Sequence, residues 1–145
     1  MIQQMSHMTI FVPDQQAALD FYVGVLGFEL KMDMSLPNGF RWINVSPKGQ
    51  ADLVIVLALP NMGPGMTEAD RQTLLDLIGK GAFGAAVFKT GDCKATYEEL
   101  KARGVEFTRE PTEQFYGVEA IFRDPFGNWF SLTEPKDVLG APPAA

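Results

Sequence analysis

The chain has 145 residues, a net charge of −6 and 46% hydrophobic residues, enough for one domain with a real core or for two half-domains sharing one. Lys and Arg are scattered, which excludes the basic footprint of a nucleic-acid or anionic-membrane binder. The longest apolar run, Leu53 to Leu59, falls far short of the ~20 residues of a membrane span, and the lone Cys93 excludes an internal disulfide. No basic and apolar leader precedes the first strand, and these features together point to the cytoplasm. Met5 to Val12 alternates as a strand does. Pro13 ends it, Asp14 is a good N-cap, and Ala17, Ala18, Phe21, Tyr22 and Val25 recur at helical spacing up to Leu26. Gly27 stands where a helix C-cap needs a left-handed residue. Strands follow at Phe28–Met34, Phe40–Val45 and Asp52–Leu59, separated by Pro37-Asn38-Gly39 and by a turn with Pro47 and Gly49.

A linker with Pro60, Gly63, Pro64 and Gly65 leads to Thr67-x-x-Asp70, which resembles a capping box before Leu74, Leu75, Leu77 and Ile78. That helix is either a packed connector or a lid carrying the adaptable Met62 and Met66. Phe83 to Thr90 is the next strand, and Asp92 caps a helix with Tyr97 and Leu100 that ends at Gly104. Val105–Thr108 is a strand, then comes a loop with Pro111 and Gly117, then strands at Val118–Arg123 and Trp129–Thr133 around an Asp124-Pro-Phe-Gly-Asn128 turn.

The chain repeats itself at an offset of about 78 residues. His7-Met-Thr-Ile-Phe-Val-Pro-Asp14 is answered by Ala85-Ala-Val-Phe-Lys-Thr-Gly-Asp92, and Ser46-Pro-Lys-Gly-Gln50 by Asp124-Pro-Phe-Gly-Asn128. Gly27 is answered one residue early, by Gly104. The fold class expected is α+β, with tandem βαβββ units related by a pseudo-twofold and sheets curled into an open, barrel-like cleft. The segments are 1–59 (first unit), 60–82 (linker and extra helix), 83–135 (second unit) and 136–145 (a frayed tail).

The three stretches His7–Asp14, Phe21-Tyr22 with Leu26-Gly27-Phe28, and Asp124–Asn128 resemble the vicinal oxygen chelate superfamily of glyoxalases, bleomycin-resistance proteins and extradiol dioxygenases. The resemblance runs from Met5 to Pro135. It supports the fold more than any activity, because one fold hosts many functions. It implies that metal-using members draw one ligand from the first strand and one from the last strand of each unit. Here those positions are His7, Ala85, Ser131 and either Leu53 or Ile55. Three of the four cannot serve a divalent cation well, since such ions want several His or carboxylate ligands. The reading is therefore no cofactor, with a divalent metal held by His7 and Glu119 as the alternative.

Strand alternation gives an independent view of the cleft. Met8, Ile10 and Val12 suit the helix side, leaving His7, Thr9 and Phe11 opposite. Glu119, Ile121 and Arg123 face the cleft in the second unit, as do Trp129, Ser131 and Thr133. Applying the offset of 78 brings Arg41, Ile43 and Val45 to the same side, with Leu53, Ile55 and Leu57, and leaves Trp42 and Asn44 under the helix. The candidate ligand-binding residues are His7, Thr9, Phe11, Arg41, Ile55, Glu119, Trp129 and Ser131. Apolar walls with few polar groups suit a small molecule. The plain alternative is a filled core with Arg41 and Glu119 as a structural ion pair.

The leading function is a protein that binds a small amphipathic or aromatic molecule without metal. The rivals are a glyoxalase- or dioxygenase-like enzyme and an interaction module with a closed cleft. Glycine-rich segments lack the strand-to-helix setting of phosphate loops, so nucleotides are not expected. Cys93 and Ser131 have no base to activate them and are read as incidental. A homodimer is expected, because edge strands need cover and the family often pairs.

Overall fold

The computed structural model describes residues 1–61 and 64–137. The chain divides into two compact units, Met1–Ala82 and Phe83–Ala145. Each is a βαβββ unit whose four strands form one mixed sheet, so the fold is α+β as expected. No helix among the described residues is long and apolar enough to cross a membrane. Met62 and the tail from residue 138 lie outside the described residues.

In the first unit, β1 (His7–Phe11) leads into α1 (Gln15–Leu19). Asp14 caps α1 by accepting a hydrogen bond from the Ala17 N–H at 2.9 Å. The single helix expected to Leu26 instead widens to a π-helical stretch at Asp20–Val25, where the Leu26 N–H reaches back to the Phe21 carbonyl. Gly27, at φ 76, then turns the chain out. The strands β2 (Glu29–Ser35), β3 (Arg41–Ser46) and β4 (Val54–Ala58) follow, giving the sheet order β1-β4-β3-β2. Helix α2 (Glu68–Gly79) closes the unit; Thr67 and Asp70 form the expected capping box, and Ile78 is buried.

Register fixes which residues share a face. Met8 aligns with Ile55 and Ile10 with Leu57 across β1 and β4, and Val45 lies opposite Ile55 across β3 and β4. All but Met8 are almost fully buried, as is Ile43, two residues before Val45 on β3. They pack with Ala18, Phe21 and Tyr22 from the helix, which stands on this face. Each such large side chain contributes roughly 1.5–3 kcal/mol by leaving water. Gln15 reinforces the seam by donating from its amide to the carbonyls of Arg41 and Leu57, at 2.8 and 3.0 Å.

The second unit repeats the plan with β5 (Gly84–Lys89), α3 (Cys93–Ala102), β6 (Glu106–Gln114), β7 (Gly117–Arg123) and β8 (Trp129–Pro135), in the order β5-β8-β7-β6. Asp92 caps α3 through the Ala95 N–H. Its helix-side core is aromatic: Phe88, Phe122 and Phe130 gather with ring centroids 5.1 to 6.2 Å apart, and Tyr97 meets Phe107 edge-on at 4.6 Å. Cys93 is buried here, its thiol pushed up by burial, which suits an inert packing role. The β7–β8 turn is held by Asp124, whose carboxylate accepts from the N–H groups of Phe126 and Asn128 and from the Asn128 side chain.

A second element differs from expectation. The region around Pro111, read as a loop, belongs to β6. Proline has no N–H to donate, but β6 is an edge strand, and the pairing shifts register between Arg109 and Thr112 to pass it. Gly117 is held at φ 146, and a Cβ there would overlap the carbonyl oxygen of Glu134. Gly117→Ala is expected to destabilise the protein by about 1–3 kcal/mol, seen as a lower denaturant midpoint at unchanged slope. A variant as stable as the parent would show that this hairpin is not closed as described.

Candidate functional site

The helix covers one face of each sheet, so ligand chemistry is sought on the other. In the first unit that face is set by Thr9, aligned with Val56, and by Asn44, paired with Val56 on one side and Met32 on the other. Met34 lies opposite Trp42 on the same face. His7, Thr9 and Phe11 are here as expected, aligned with Val54, Val56 and Ala58. His7 is exposed and its Nδ1 meets the Ser6 hydroxyl at 2.9 Å. Met32 and Met34 are 44% and 47% exposed, and Trp42 is half-buried.

Arg41 and Ile55 are not on this face. Ile55 lies under the helix, 1% exposed. Arg41 points to the helix side, where its guanidinium grips both oxygens of Asp33 at 2.7 and 2.8 Å and donates to the Gln16 side chain of α1. The fork holds the Asp33 carboxyl below the usual range. Arg41 therefore ties β2, β3 and α1 together and does not await an anion. Nor do Arg41 and Glu119 pair: each has its partner inside its own unit.

The error has a definite physical source. The helix and its cap are one residue shorter in the second unit, so beyond Gly27 and Gly104 the repeat runs at an offset of 77. Trp42, not Arg41, thereby answers Glu119, and a slip of one residue turns every side chain of a strand to the other face. The β3–β4 loop is then two residues longer than its counterpart. Ser131, aligned with Val87, is consequently answered by Val56, aligned with Thr9, and not by Leu53 or Ile55. Trp42 and Asn44 were missed for this reason, and the early Gly104 was the signal that could have found them; Met32 and Met34 were missed because no face was assigned to the Phe28–Met34 strand.

In the second unit the assignment by alternation holds. Val87 and Lys89 align with Ser131 and Thr133, and Glu119 lies opposite Thr133. A register shift between Phe107 and Arg109 turns Arg109 onto this face as well. Glu119, 9% exposed, accepts from Arg109 and from the Tyr116 hydroxyl at 2.7 Å through Oε1, and from the Ser131 hydroxyl at 2.6 Å through Oε2. Ser131 has spent its proton on the carboxylate, so Thr133 donates to Ser131 across 2.7 Å. Burial alone would raise Glu119. The hydrogen bonds from Ser131 and Tyr116 and the charge of Arg109 outweigh it and hold the carboxyl below its ordinary value. The same contact pushes the Tyr116 phenol up. Trp129 shares this face and lies over Gly84, where a Cβ would strike its indole.

A metal would have to be served by these donors, and they do not suit one. Val56 and Ala85 offer no donor, and the Ser131 hydroxyl is engaged. The Glu119 carboxylate is already matched by a guanidinium and two hydroxyls, so a cation would have to displace Arg109. Among the described residues no three His, Cys, Asp or Glu side chains are grouped to hold an ion.

Against this geometry the comparisons with known proteins are direct. The model of the Glyoxalase/Bleomycin resistance protein/Dioxygenase superfamily matches residues 4–132. The chain belongs to that superfamily. It is similar to the crystal structure of UcmS2, with 41% identity, a TM-score of 0.85 and coverage of 92% of this chain and 99% of that one. It is also similar to TnmS3, described as an antibiotic binding protein from Streptomyces sp. CB03234, with 33% identity, a TM-score of 0.72 and coverage of 93% and 98%. The uncharacterized protein YurT of Bacillus subtilis (strain 168) is 34% identical over 126 residues, 87% of this chain and 94% of YurT.

The Glu119 network makes an acid-linked prediction. Its folded pKa is depressed, so its contribution to stability is complete above the ordinary carboxylate value of about 4.3 and is lost as pH falls through the lower folded value. Glu119→Gln should be less stable than the parent at pH 7, and the difference should shrink at pH values below about 4. Denaturant titrations at the two pH values read this. A difference that does not change with pH would mean the carboxylate is not held ionised by its neighbours.

Proposed function

We propose that this protein binds a small, flat, largely apolar molecule of antibiotic-like or aromatic character on the faces of its sheets opposite the helices, and that it does so without metal. The observation that carries this reading is the character of the first unit's open face, where half-exposed Met32 and Met34 flank Trp42. Thioether side chains are soft and adaptable and sit well against aromatic rings, and apolar walls with few polar groups are what such ligands use. The likeness to TnmS3, described as an antibiotic binding protein, supports the binding reading. On the first unit's face the proposed contacts are His7, Thr9, Phe11 and Trp42; on the second unit's face, taken by itself, they are Glu119, Trp129 and Ser131. Arg41 and Ile55 leave the proposed site. The metal-free reading rests on the donor set. A homodimer in the cytoplasm completes the proposal, since β2 is an edge strand exposed along its whole length.

Both tryptophans of the chain, Trp42 and Trp129, lie on these faces, so their fluorescence reports on the site. Titration with bleomycin and with fused-ring aromatic antibiotics is expected to quench that fluorescence saturably. At least one should show a dissociation constant of about 1 μM or tighter, some 8 kcal/mol of binding free energy. Excess chelator should leave the constant unchanged. Quenching lost in chelator and restored by a divalent ion would reverse the metal-free reading, and no quenching by any of them would end the binding one. Sedimentation at the same concentrations should give a dimer.

A further inference from the structure

On the helix side of the second unit, α3 and the edge strand β6 enclose a cleft of about 320 Å³, open to solvent. That volume is at the lower end of ligand pockets, which run from ~300 to ~1,000 Å³. Lys94, Tyr97, Glu98 and Lys101 line it from the helix, where spacings of three, four and seven residues put them on one face. Glu110 and Pro111 line it from β6. They stand in the register shift between Arg109 and Thr112, and a bulge of this kind re-aims side chains away from the ladder. The Thr112 hydroxyl fixes the bulge by donating to the Glu110 carbonyl at 2.8 Å. Tyr97 is 6% exposed and its ring is locked edge-on against Phe107. Its hydroxyl joins the two walls: it accepts from the Lys101 ammonium at 3.1 Å and donates to Glu110 Oε1 at 3.5 Å. The same hydroxyl, with the charges of Glu110 and Glu98, pushes the Lys101 ammonium up.

The cleft thus carries two ammonium groups and two carboxylates, and among the described residues no ion pair joins them to one another or to anything else. Lys101 has three donors and spends one on Tyr97, and Glu110 keeps its second oxygen. The charges sum to zero, so a ligand of one sign would meet as much repulsion as attraction. We propose that this cleft binds a free α-amino acid or a zwitterion of similar size, its carboxylate taken by Lys101 and Lys94, its ammonium by Glu110 and Glu98, and its side chain laid against Pro111. Tyr97 holds Lys101 and Glu110 in place before the ligand arrives, which lowers the cost of ordering them. The site is separate from the open sheet faces, and the inference does not rest on the binding reading above.

The test titrates the full-length protein, at low salt, with leucine and phenylalanine, with their N-acetyl forms (anion only) and with their amides (cation only), and follows backbone amide chemical shifts. A free amino acid is expected to move the signals of Lys94–Lys101, Glu110 and Thr112 saturably, with a dissociation constant of about 1 mM or tighter. The N-acetyl and amide forms should each bind roughly fivefold more weakly, because each leaves one pair of charges unmet. Lys101→Met should weaken the free amino acid roughly fivefold and leave its amide unchanged. Glu110→Gln should weaken the free amino acid similarly and leave its N-acetyl form unchanged. Lys101 and Glu110 are exposed, so both variants should melt with the parent. No saturable shift with either amino acid overturns the proposal, as does equal binding of all three forms or binding that neither variant weakens. An N-acetyl form that binds as well as the free amino acid, and is lost in Lys101→Met alone, makes the cleft an anion site and overturns it too.

Discussion

Each sheet has one face under a helix, and alternation along a strand lets only every second residue reach it. In the first unit that set is Ile10, Ile43, Val45, Ile55 and Leu57, all almost fully buried. In the second it is Ala120, Phe122, Phe130 and Leu132, equally buried. Once these are committed to the core, the intervening residues have no choice of side. Trp42 and Asn44 stand on the open face because Ile43 and Val45 do not, and Glu119 and Ser131 stand there because Ala120, Phe130 and Leu132 do not.

The two open faces have diverged in chemistry while keeping one plan. That of the second unit is polar and internally satisfied: Glu119 is surrounded by Arg109, Tyr116 and Ser131, with Thr133 behind Ser131. Such a network resists both protonation and capture of a cation, since each partner would lose a charge-assisted bond. That of the first unit is largely apolar, and the Asn44 amide oxygen has no hydrogen-bond partner among the described residues. The ionic fork of Arg41 with Asp33 lies on its helix side and acts as a clamp on the sheet edge. What remains on the two faces is an apolar surface in the first unit and a fully partnered carboxylate in the second.

Most of the fold was legible in the sequence because its signals are local. Asp14 and Asp92 cap helices, Gly27 and Gly104 end them, and Thr67 with Asp70 makes a capping box, all as their spacing suggests. The open face of the second unit was legible too, since Val118 to Arg123 and Trp129 to Thr133 alternate plainly. The first unit was harder. Phe40 to Val45 carries one polar residue on each side, Asn44 and Arg41, and Leu53 to Leu59 is apolar on both, so alternation could not choose a face and the repeat was used in its place. A repeat whose helix differs by one residue gives the wrong face, which is how Arg41 and Ile55 were expected where Trp42 and Asn44 stand. Pro111 misled for another reason: edge strands tolerate what central strands do not.

The central claim is that ligand binds the face opposite the helix in the first unit. Methyl-labelled methionine and indole N–H resonances, followed during titration with a fused-ring aromatic antibiotic, test it most directly. The account predicts shifts centred on Met32, Met34 and the Trp42 indole, with the Gln16 and Arg41 side chains on the helix side unmoved. Shifts centred on Arg41, Asp33 and Gln16, with Trp42 unaffected, would contradict it.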